Sequence, residues 1–342
     1  MKRVVTFGEI MLRLKAPGHE RLFQSAQLEA RFGGGEANVA ASLALFGLRA
    51  TFVTALSRDA IGEGALRTLR GLGVDVSRVR QTGDRTGIYF LETGANQRPS
   101  QVVYDRSGSA AAMMKPGDFP WGEIFQGADW FHFTGITPAL SRCTADACLE
   151  AMQAARAAGV KVSIDLNFRK KLWNYGVKAP EVMRGLVRLA DVLIANEEDI
   201  QLGLGLKADA EPEASRVTTS AYQALAARTK AEYPNLEVVA ITLRESLSAD
   251  RNGWSAVLDG KAGFRASRKY ALDDIVDRVG GGDSFAAGLI FGVLEYGDEG
   301  RALEYAVAAS ALKHSIPGDI NLATRDEVER LAGGDSSGRV QR

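Results

Sequence analysis

Short apolar runs alternate along the chain with longer segments whose apolar residues recur at helical spacing. Residues 4–8, 51–56, 129–134, 160–165, 191–195 and 238–243 read as buried strands. Residues 36–46, 61–72, 144–158, 180–189, 220–232, 283–295 and 299–314 carry the helical period, and Gly47 ends the first of them. Strands alternating with helices predict an α/β fold with a mostly parallel sheet covered on both faces. Two stretches break the rhythm, 13–31 and 86–106, which hold strand-like runs with no helix between them. GIYFLE (87–92) and QVVYDR (101–106) flank the turn-rich TGANQRPS, so a hairpin in a small β lid is expected there. Residues 246–253 and 207–217 read as surface loops, and 333–342, with no apolar anchor beyond Val340, as a disordered tail. No linker divides residues 1–332, so a single domain is expected, with the lid segments inserted in it.

Composition narrows the function classes. The chain has 342 residues, 46% hydrophobic and 25% charged, which is ordinary for a soluble globular protein large enough for a sizeable core. Lys plus Arg and Asp plus Glu both number 42, and this balance argues against a partner that is a nucleic acid or a membrane surface. Cys143 and Cys148 are the only cysteines, too few for a disulfide framework or a zinc cluster. The opening MKRVVTFGEI lacks a signal-peptide core, and no run approaches the roughly 18 apolar residues of a membrane span. A reduced, cytoplasmic protein is expected.

The strongest local chemistry is VDRVGGGDSFAAGLIFGVLE (276–295). Gly280, Gly281 and Gly282 let backbone approach a ligand, and a helix N-terminus after them suits a phosphate. Asp283 stands where a helix cap or a general base stands. No GxxxxGK[ST] phosphate loop is present. A second glycine run, RFGGGEANVAASLALFG (31–47), also opens a helix, with Asn38 one turn inside. Its amide can donate and accept, which suits a polyol, or the segment is simply a tight turn before a core helix. His19, His132 and His314 are scattered, and His132, inside an apolar strand, reads as a core histidine.

Two glycine-rich loops at helix starts, one early and one late, resemble the ribokinase-like (PfkB) carbohydrate kinases over about residues 3–330. GGGEANVAASLALFG resembles that family's first signature and DRVGGGDSFAAG its second, with Asp277 as the leading Asp. RDAIGEGALRTLRGLGVD (58–75) also looks like the family's first βα region. The resemblance implies a three-layer α/β/α sandwich with a β-strand lid, and ATP and Mg2+ as co-substrate and cofactor. It implies Asp283 as catalytic base, Gly280, Gly281 and Gly282 as the anion hole, and Gly34 and Asn38 as sugar contacts. ANEED (195–199) resembles the N-x-x-E element, so Asn196 and Asp199 are expected near the magnesium–phosphate network, Asp199 indirectly because it is one methylene short. Glu198 is expected on a different face. Asn167, Thr242, Arg244, Gly280, Gly282 and Gly318 complete the ATP side by the same resemblance, although Arg244 stands where relatives have glycine and reads equally as a surface residue.

The acceptor must be read from the lid and strand ends, because the fold serves many alcohols. Tyr104 and Arg106 lie two apart on a strand, hence on one face, and Arg169 follows a central strand end. With Tyr89 they suit a hydroxylated substrate bearing a carboxylate, although Arg106 reads alternatively as an exposed lid charge. The pattern resembles 2-keto-3-deoxygluconate kinases, which implies phosphorylation of that sugar acid's 6-hydroxyl. A fructokinase of the same family is the nearest alternative, followed by a non-catalytic sugar-binding regulator. A nicotinamide oxidoreductase fits least, because no GxGxxG follows the first strand. The exposed strand edges of a lid predict a homo-oligomer formed through it.

Overall fold

The computed structural model describes residues 1–206 and 219–335, so the loop read at 207–217 and residues 336–342 of the tail lie outside the described residues. In chain order the strands are β1 (Arg3–Phe7), β2 (Met11–Lys15), β3 (Glu29–Gly33), β4 (Arg49–Leu56), β5 (Val79–Gln81), β6 (Ile88–Glu92) and β7 (Gln101–Asp105). They continue as β8 (Trp130–Thr134), β9 (Lys161–Asp165), β10 (Val192–Ala195), β11 (Val238–Ser246), β12 (Asn252–Gly260), β13 (Gly263–Ala266) and β14 (Tyr270–Leu272). The helices are α1 (Gly35–Leu45), α2 (Ala60–Gly71), α3 (Trp121–Ile124), α4 (Thr137–Leu140) and α5 (Arg142–Ala157). The remainder are α6 (Ala179–Val187), α7 (Thr219–Glu232), α8 (Gly281–Tyr296), α9 (Glu299–Lys313) and α10 (Arg325–Ala332).

The large sheet runs β13-β12-β11-β10-β9-β8-β1-β4-β5, with β14 beside β12. From β11 to β5 every pairing is parallel, and β12 to β14 add an antiparallel edge. Its central strands are buried at nearly every position because both faces are covered. Val4, Val192 and Ile194 join the core beneath α1, α8 and α9, while their neighbours Val5, Leu193 and Ala195 join the core beneath α5 and α6. His132 sits fully buried in β8 with Nδ1 2.8 Å from the Ser163 hydroxyl, and burial lowers its pKa to about 3, which keeps it neutral. The second sheet runs β3-β2-β6-β7, with β6 and β7 paired as the expected hairpin and β2 parallel to β6.

Two local readings change. The segment read as a loop at 246–253 is the tip of a hairpin, residues 247–251 forming the loop between β11, which runs to Ser246, and β12, which starts at Asn252. Asn252, Ser255 and Asp259 interrupt the apolar alternation of β12, which is why the pattern hid it. The late glycine-rich helix starts at Gly281, two residues before the expected start, so two of its three glycines form the first helical turn.

Helices α8 and α9 pack at unusually short range because α8 carries small residues on the facing side. A Cβ on Gly288 would meet the Ala306 Cα at 2.7 Å, and one on Gly292 the Ala302 Cα at 2.5 Å. The backbone of α8, and with it the N-terminus bearing Asp283, is therefore set by backbone-to-backbone approach. Gly292→Ala should cost about 1–3 kcal/mol in urea unfolding. Gly185→Ala, at an exposed position of α6 with nothing within 4 Å of the added methyl, should instead stabilise by up to about 1 kcal/mol.

Candidate active site

The carboxyl ends of the parallel strands open on a cleft of about 700 Å³, within the usual size range of small-molecule sites. Glu9 follows β1, Ile136 follows β8, Asp165 ends β9, Asn196 follows β10, and Thr242 and Arg244 belong to β11. Met11, Tyr89, Tyr104 and Arg106 contribute from the lid. Gly34, Gly35 and Asn38 come from the start of α1, and Gly280, Gly282 and Asp283 from the start of α8. This is where open α/β sheets bind ligands.

Gly280 caps α8 with φ of 84°, and a Cβ there would lie 1.9 Å from the Asp319 carbonyl oxygen. Only glycine permits that turn, which sets Gly280, Gly282 and Asp283 beside the cleft with the positive end of the helix dipole, while the Gly281 amide donates to the Arg278 carbonyl at 3.3 Å. Asp283, in that turn, accepts a 2.7 Å hydrogen bond from Asn38 Nδ2. Burial pushes its carboxyl up to about 6, while the Asn38 bond pulls it down and Asp319 adds to the rise. Asn38 Oδ1 accepts from the Gly34 amide at 3.3 Å, so the Asn38 side chain braces the carboxylate as well as lining the cleft. Gly34 is glycine for close approach, since a Cβ would sit 2.1 Å from the Glu9 carbonyl oxygen.

Asp165 and Asp199 are among the further carboxylates that share the cleft. Asp165 is pushed well above the usual carboxylate range by burial and then by Asp199 and Asp283. Asp199, raised by burial to about 6, accepts from the amides of Phe168 at 3.0 Å and Asn196 at 3.4 Å, while its own amide donates to Asn196 Oδ1 at 2.8 Å. Glu198, expected on a different face, lines the same cleft as Asp199. Arg169 lies exposed at its edge, and its charge opposes the rise at Asp165, Asp199 and Asp283. Among the described residues no group of three ligands forms a dedicated metal cage. Asp165 and Asp199, crowded and short of countercharge, suit a hydrated Mg2+ that takes its remaining ligands from phosphate.

In the lid, Arg106 is 6% exposed, which removes the reading of it as an exposed charge. Its Nη1 donates to buried Glu9, and its guanidinium lies 4.1 Å from the centre of the Tyr104 ring. The second Glu9 carboxylate oxygen is buried with no partner among the described residues. Tyr89 donates its hydroxyl proton to Asp319 at 2.6 Å, so it brings the cleft a ring and an already committed proton. Arg244, also lining the cleft, lies 5.3 Å from the centre of the Trp254 ring.

Of the residues singled out from sequence, the cleft gathers Gly34, Asn38, Tyr89, Tyr104, Arg106, Asn167, Arg169, Asn196, Asp199, Thr242, Arg244, Gly280, Gly282 and Asp283. It does not gather Gly281 or Gly318. Gly281 packs toward His314, and its carbonyl accepts from the Ser310 hydroxyl at 2.7 Å. Gly318 donates its amide to Asp277 at 3.0 Å and so shapes the turn rather than lining the cleft. Glu9, Asp165, Trp254, Arg278 and Asp319 line it unforeseen. Glu9 and Asp165 had one available signal, a carboxylate placed at the end of a buried strand. Trp254 was hidden with its strand.

Comparison with known proteins agrees across nearly the whole chain. The sequence profile described as pfkB family carbohydrate kinase matches residues 1–325. A solved structure of 2-dehydro-3-deoxygluconokinase from Thermotoga maritima superposes with a TM-score of 0.92 at 46% identity, covering 97% of this chain and 98% of that one. The 2-dehydro-3-deoxygalactonokinase of Haloferax volcanii is 34% identical over 97% of this chain and 98% of its own length. The 2-dehydro-3-deoxygluconokinase of Bacillus subtilis is 32% identical over 95% of this chain and 93% of its own length.

The Asp283 environment makes a checkable claim about pH. Its carboxylate is ionised above about pH 6 and protonated below, so a reaction needing the anion should lose kcat/KM as pH falls through that value. Asn38→Ala removes a bond to the anion, so the acid limb should move up by roughly one unit. A pH–rate profile of both proteins reads the two effects.

Proposed function

The chain belongs to the pfkB family of carbohydrate kinases, and from that premise we propose that it transfers the γ-phosphoryl group of ATP to the 6-hydroxyl of 2-keto-3-deoxygluconate. A phosphotransferase acting on an alcohol follows from the family and from the named relatives. The acceptor rests chiefly on one observation. A buried arginine, Arg106, lines the same cleft as Asp283, with exposed Arg169 also on its wall. A sugar acid gives these cations a carboxylate to meet, and the relatives named for keto-deoxy sugar acids support the same class.

In this reading Asp283 orients the acceptor hydroxyl and takes its proton. The Gly280–Gly282 amides and the dipole of α8 stabilise charge on the transferring phosphoryl oxygens. Asn38 holds Asp283 toward its ionised form, and Gly34, Tyr89, Tyr104, Arg106 and Arg169 surround the sugar acid. Asn167, Asn196, Thr242 and Arg244 belong to the nucleotide side, whereas Gly318 acts behind it through Asp277. Mg2+, when bound with the nucleotide near Asp165 and Asp199, supplies neutralisation of phosphate charge. Closure of the lid excludes water as a competing acceptor.

A second reading has its own observation. Glu9 already neutralises part of Arg106, and a paired lid cation tolerates a neutral sugar such as fructose. A non-catalytic sugar-binding protein is disfavoured by the intact Asp283 and glycine turn. Self-association through the lid is also proposed. The outer strand β7 pairs only with β6 among the described residues and exposes Val102, Val103 and Tyr104. Sedimentation of a Val103→Lys variant should show a smaller species than wild type, and an unchanged species would remove the proposal.

ATP consumption should be compared for 2-keto-3-deoxygluconate, its galacto epimer, gluconate, fructose and ribose. The expected result is a kcat/KM preference for a keto-deoxy acid that falls roughly 10- to 150-fold in Arg106→Ala, the worth of one charge-assisted hydrogen bond. A preference for fructose untouched by that substitution would remove the carboxylate argument and leave the kinase. Asp283→Asn should abolish turnover with every acceptor while sugar binding persists.

A further inference from the structure

Lys313, the last residue of α9, is fully buried, and the chemistry outlined above makes no use of it. A lysine is almost never fully buried without partners. Here the partners are backbone. Its Nζ donates to the Asp277 carbonyl at 3.0 Å and to the Ile316 carbonyl at 3.1 Å. The neighbouring carboxylates of Asp277 and Asp319 are both held by Arg13. The ammonium therefore joins the segment that leads into α8 to the turn that follows α9.

Other bonds run between the same two segments. The amides of Val276 and Asp277 donate to the His314 carbonyl at 2.9 and 3.3 Å, and Ser310 donates to the Gly281 carbonyl at 2.7 Å. None of Val276, Asp277, Ser310, Lys313, His314 and Ile316 lines the cleft that Gly280 and Gly282 border. Two converging carbonyls need a donor with several N–H groups, and a thioether or methyl in its place leaves them unpaired. The charge matters as well as the donors. Lys313 is among the groups that favour the ionised form of Asp283, and burial lowers its own pKa to about 8 while Asp277, Asp319 and Asp283 oppose that fall.

We propose that Lys313 is a positioning residue whose buried ammonium holds the Asp277 and Ile316 carbonyls back, so that Gly280 and Gly282 stay turned to the cleft with a positive charge behind them. The proposal rests on the reading of Gly280–Gly282 as the phosphoryl site. Its role is in kcat rather than in acceptor binding, because the ammonium touches neither lid nor sugar side.

The test uses the full chain with ATP, Mg2+ and the acceptor that wild type turns over best. Lys313→Ala should lower kcat at least 100-fold with acceptor KM changed less than threefold. Propylammonium should restore part of that kcat saturably, and 1-propanol should not. Lys313→Met, which keeps the aliphatic volume, covers the case in which the alanine variant does not fold. It should melt as a folded protein by circular dichroism and show the same loss of kcat without rescue. Wild-type kcat in Lys313→Met, a loss confined to acceptor KM, or equal rescue of Lys313→Ala by the alcohol would overturn the proposal. Asp283→Asn separates the two levels. If it keeps turnover, the underlying reading of the α8 N-terminus fails; if it is inactive while Lys313→Met is normal, only the present proposal fails.

Discussion

Arg13 is fully buried and bridges two carboxylates, Asp277 and Asp319, that belong to loops more than 260 residues further along the chain. Burial works against its charge, but Asp319, Tyr89 and Asp277 outweigh that and hold the guanidinium above its ordinary range. A buried bridge of this kind adds little net stability relative to an apolar replacement, yet removing one partner costs about 3–5 kcal/mol because a charge is stranded. What it secures is arrangement. Arg13 sits on β2 of the lid sheet, Tyr89 on the adjacent β6 also binds Asp319, and Asp277 accepts from the amides of Val279 and Gly318. The root of the lid, the approach to α8 and the turn after α9 thus form one polar body, and the Asp319 carbonyl presses on the turn at Gly280.

That body sits behind a cleft whose electrostatics are deliberately unbalanced toward the carboxylates. Asp165, Asp199 and Asp283 are all raised, primarily by burial, and Arg169 at the rim relieves each of them. Groups with raised carboxyl pKa in a strand-end cleft are where proton transfer and cation binding are expected. The lid side is arranged otherwise. Arg106 and Glu9 compensate each other, so an incoming ligand meets a paired cation with nitrogen atoms still to share and a carboxylate oxygen still without a partner. In the acceptor reading proposed above, sugar choice depends on how a ligand competes with Glu9 for Arg106, and not on simple attraction to one free arginine.

Much of the architecture was legible because it depends on local chemistry. Apolar runs with helical segments between them predicted the parallel strands, and glycine runs before apolar helices marked both helix starts that reach the cleft. The pairing of 87–92 with 101–106 followed from a turn-rich interval between β-rich runs. The antiparallel edge escaped, because β12 carries Asn252, Ser255 and Asp259 among its apolar residues and makes its pairs with β11, β13 and β14. Among the residues singled out, most of those within glycine motifs or beside strand ends line the cleft. Gly318, expected on the nucleotide side, does not line the cleft, and its φ of 98° and its bond to Asp277 serve the turn after α9.

The sequence by itself determined the fold class, the family resemblance and the identity of Asp283 and Asn38 as residues of interest, since periodicity and glycine spacing are properties of neighbours along the chain. Only the tertiary structure decided which charges meet. Arg13, Glu9, Asp319 and Lys313 stand in unremarkable local contexts, and each acquires its role from a partner distant in sequence and from the exclusion of water around it. Pairing and desolvation depend on three-dimensional packing, which no local pattern encodes residue by residue.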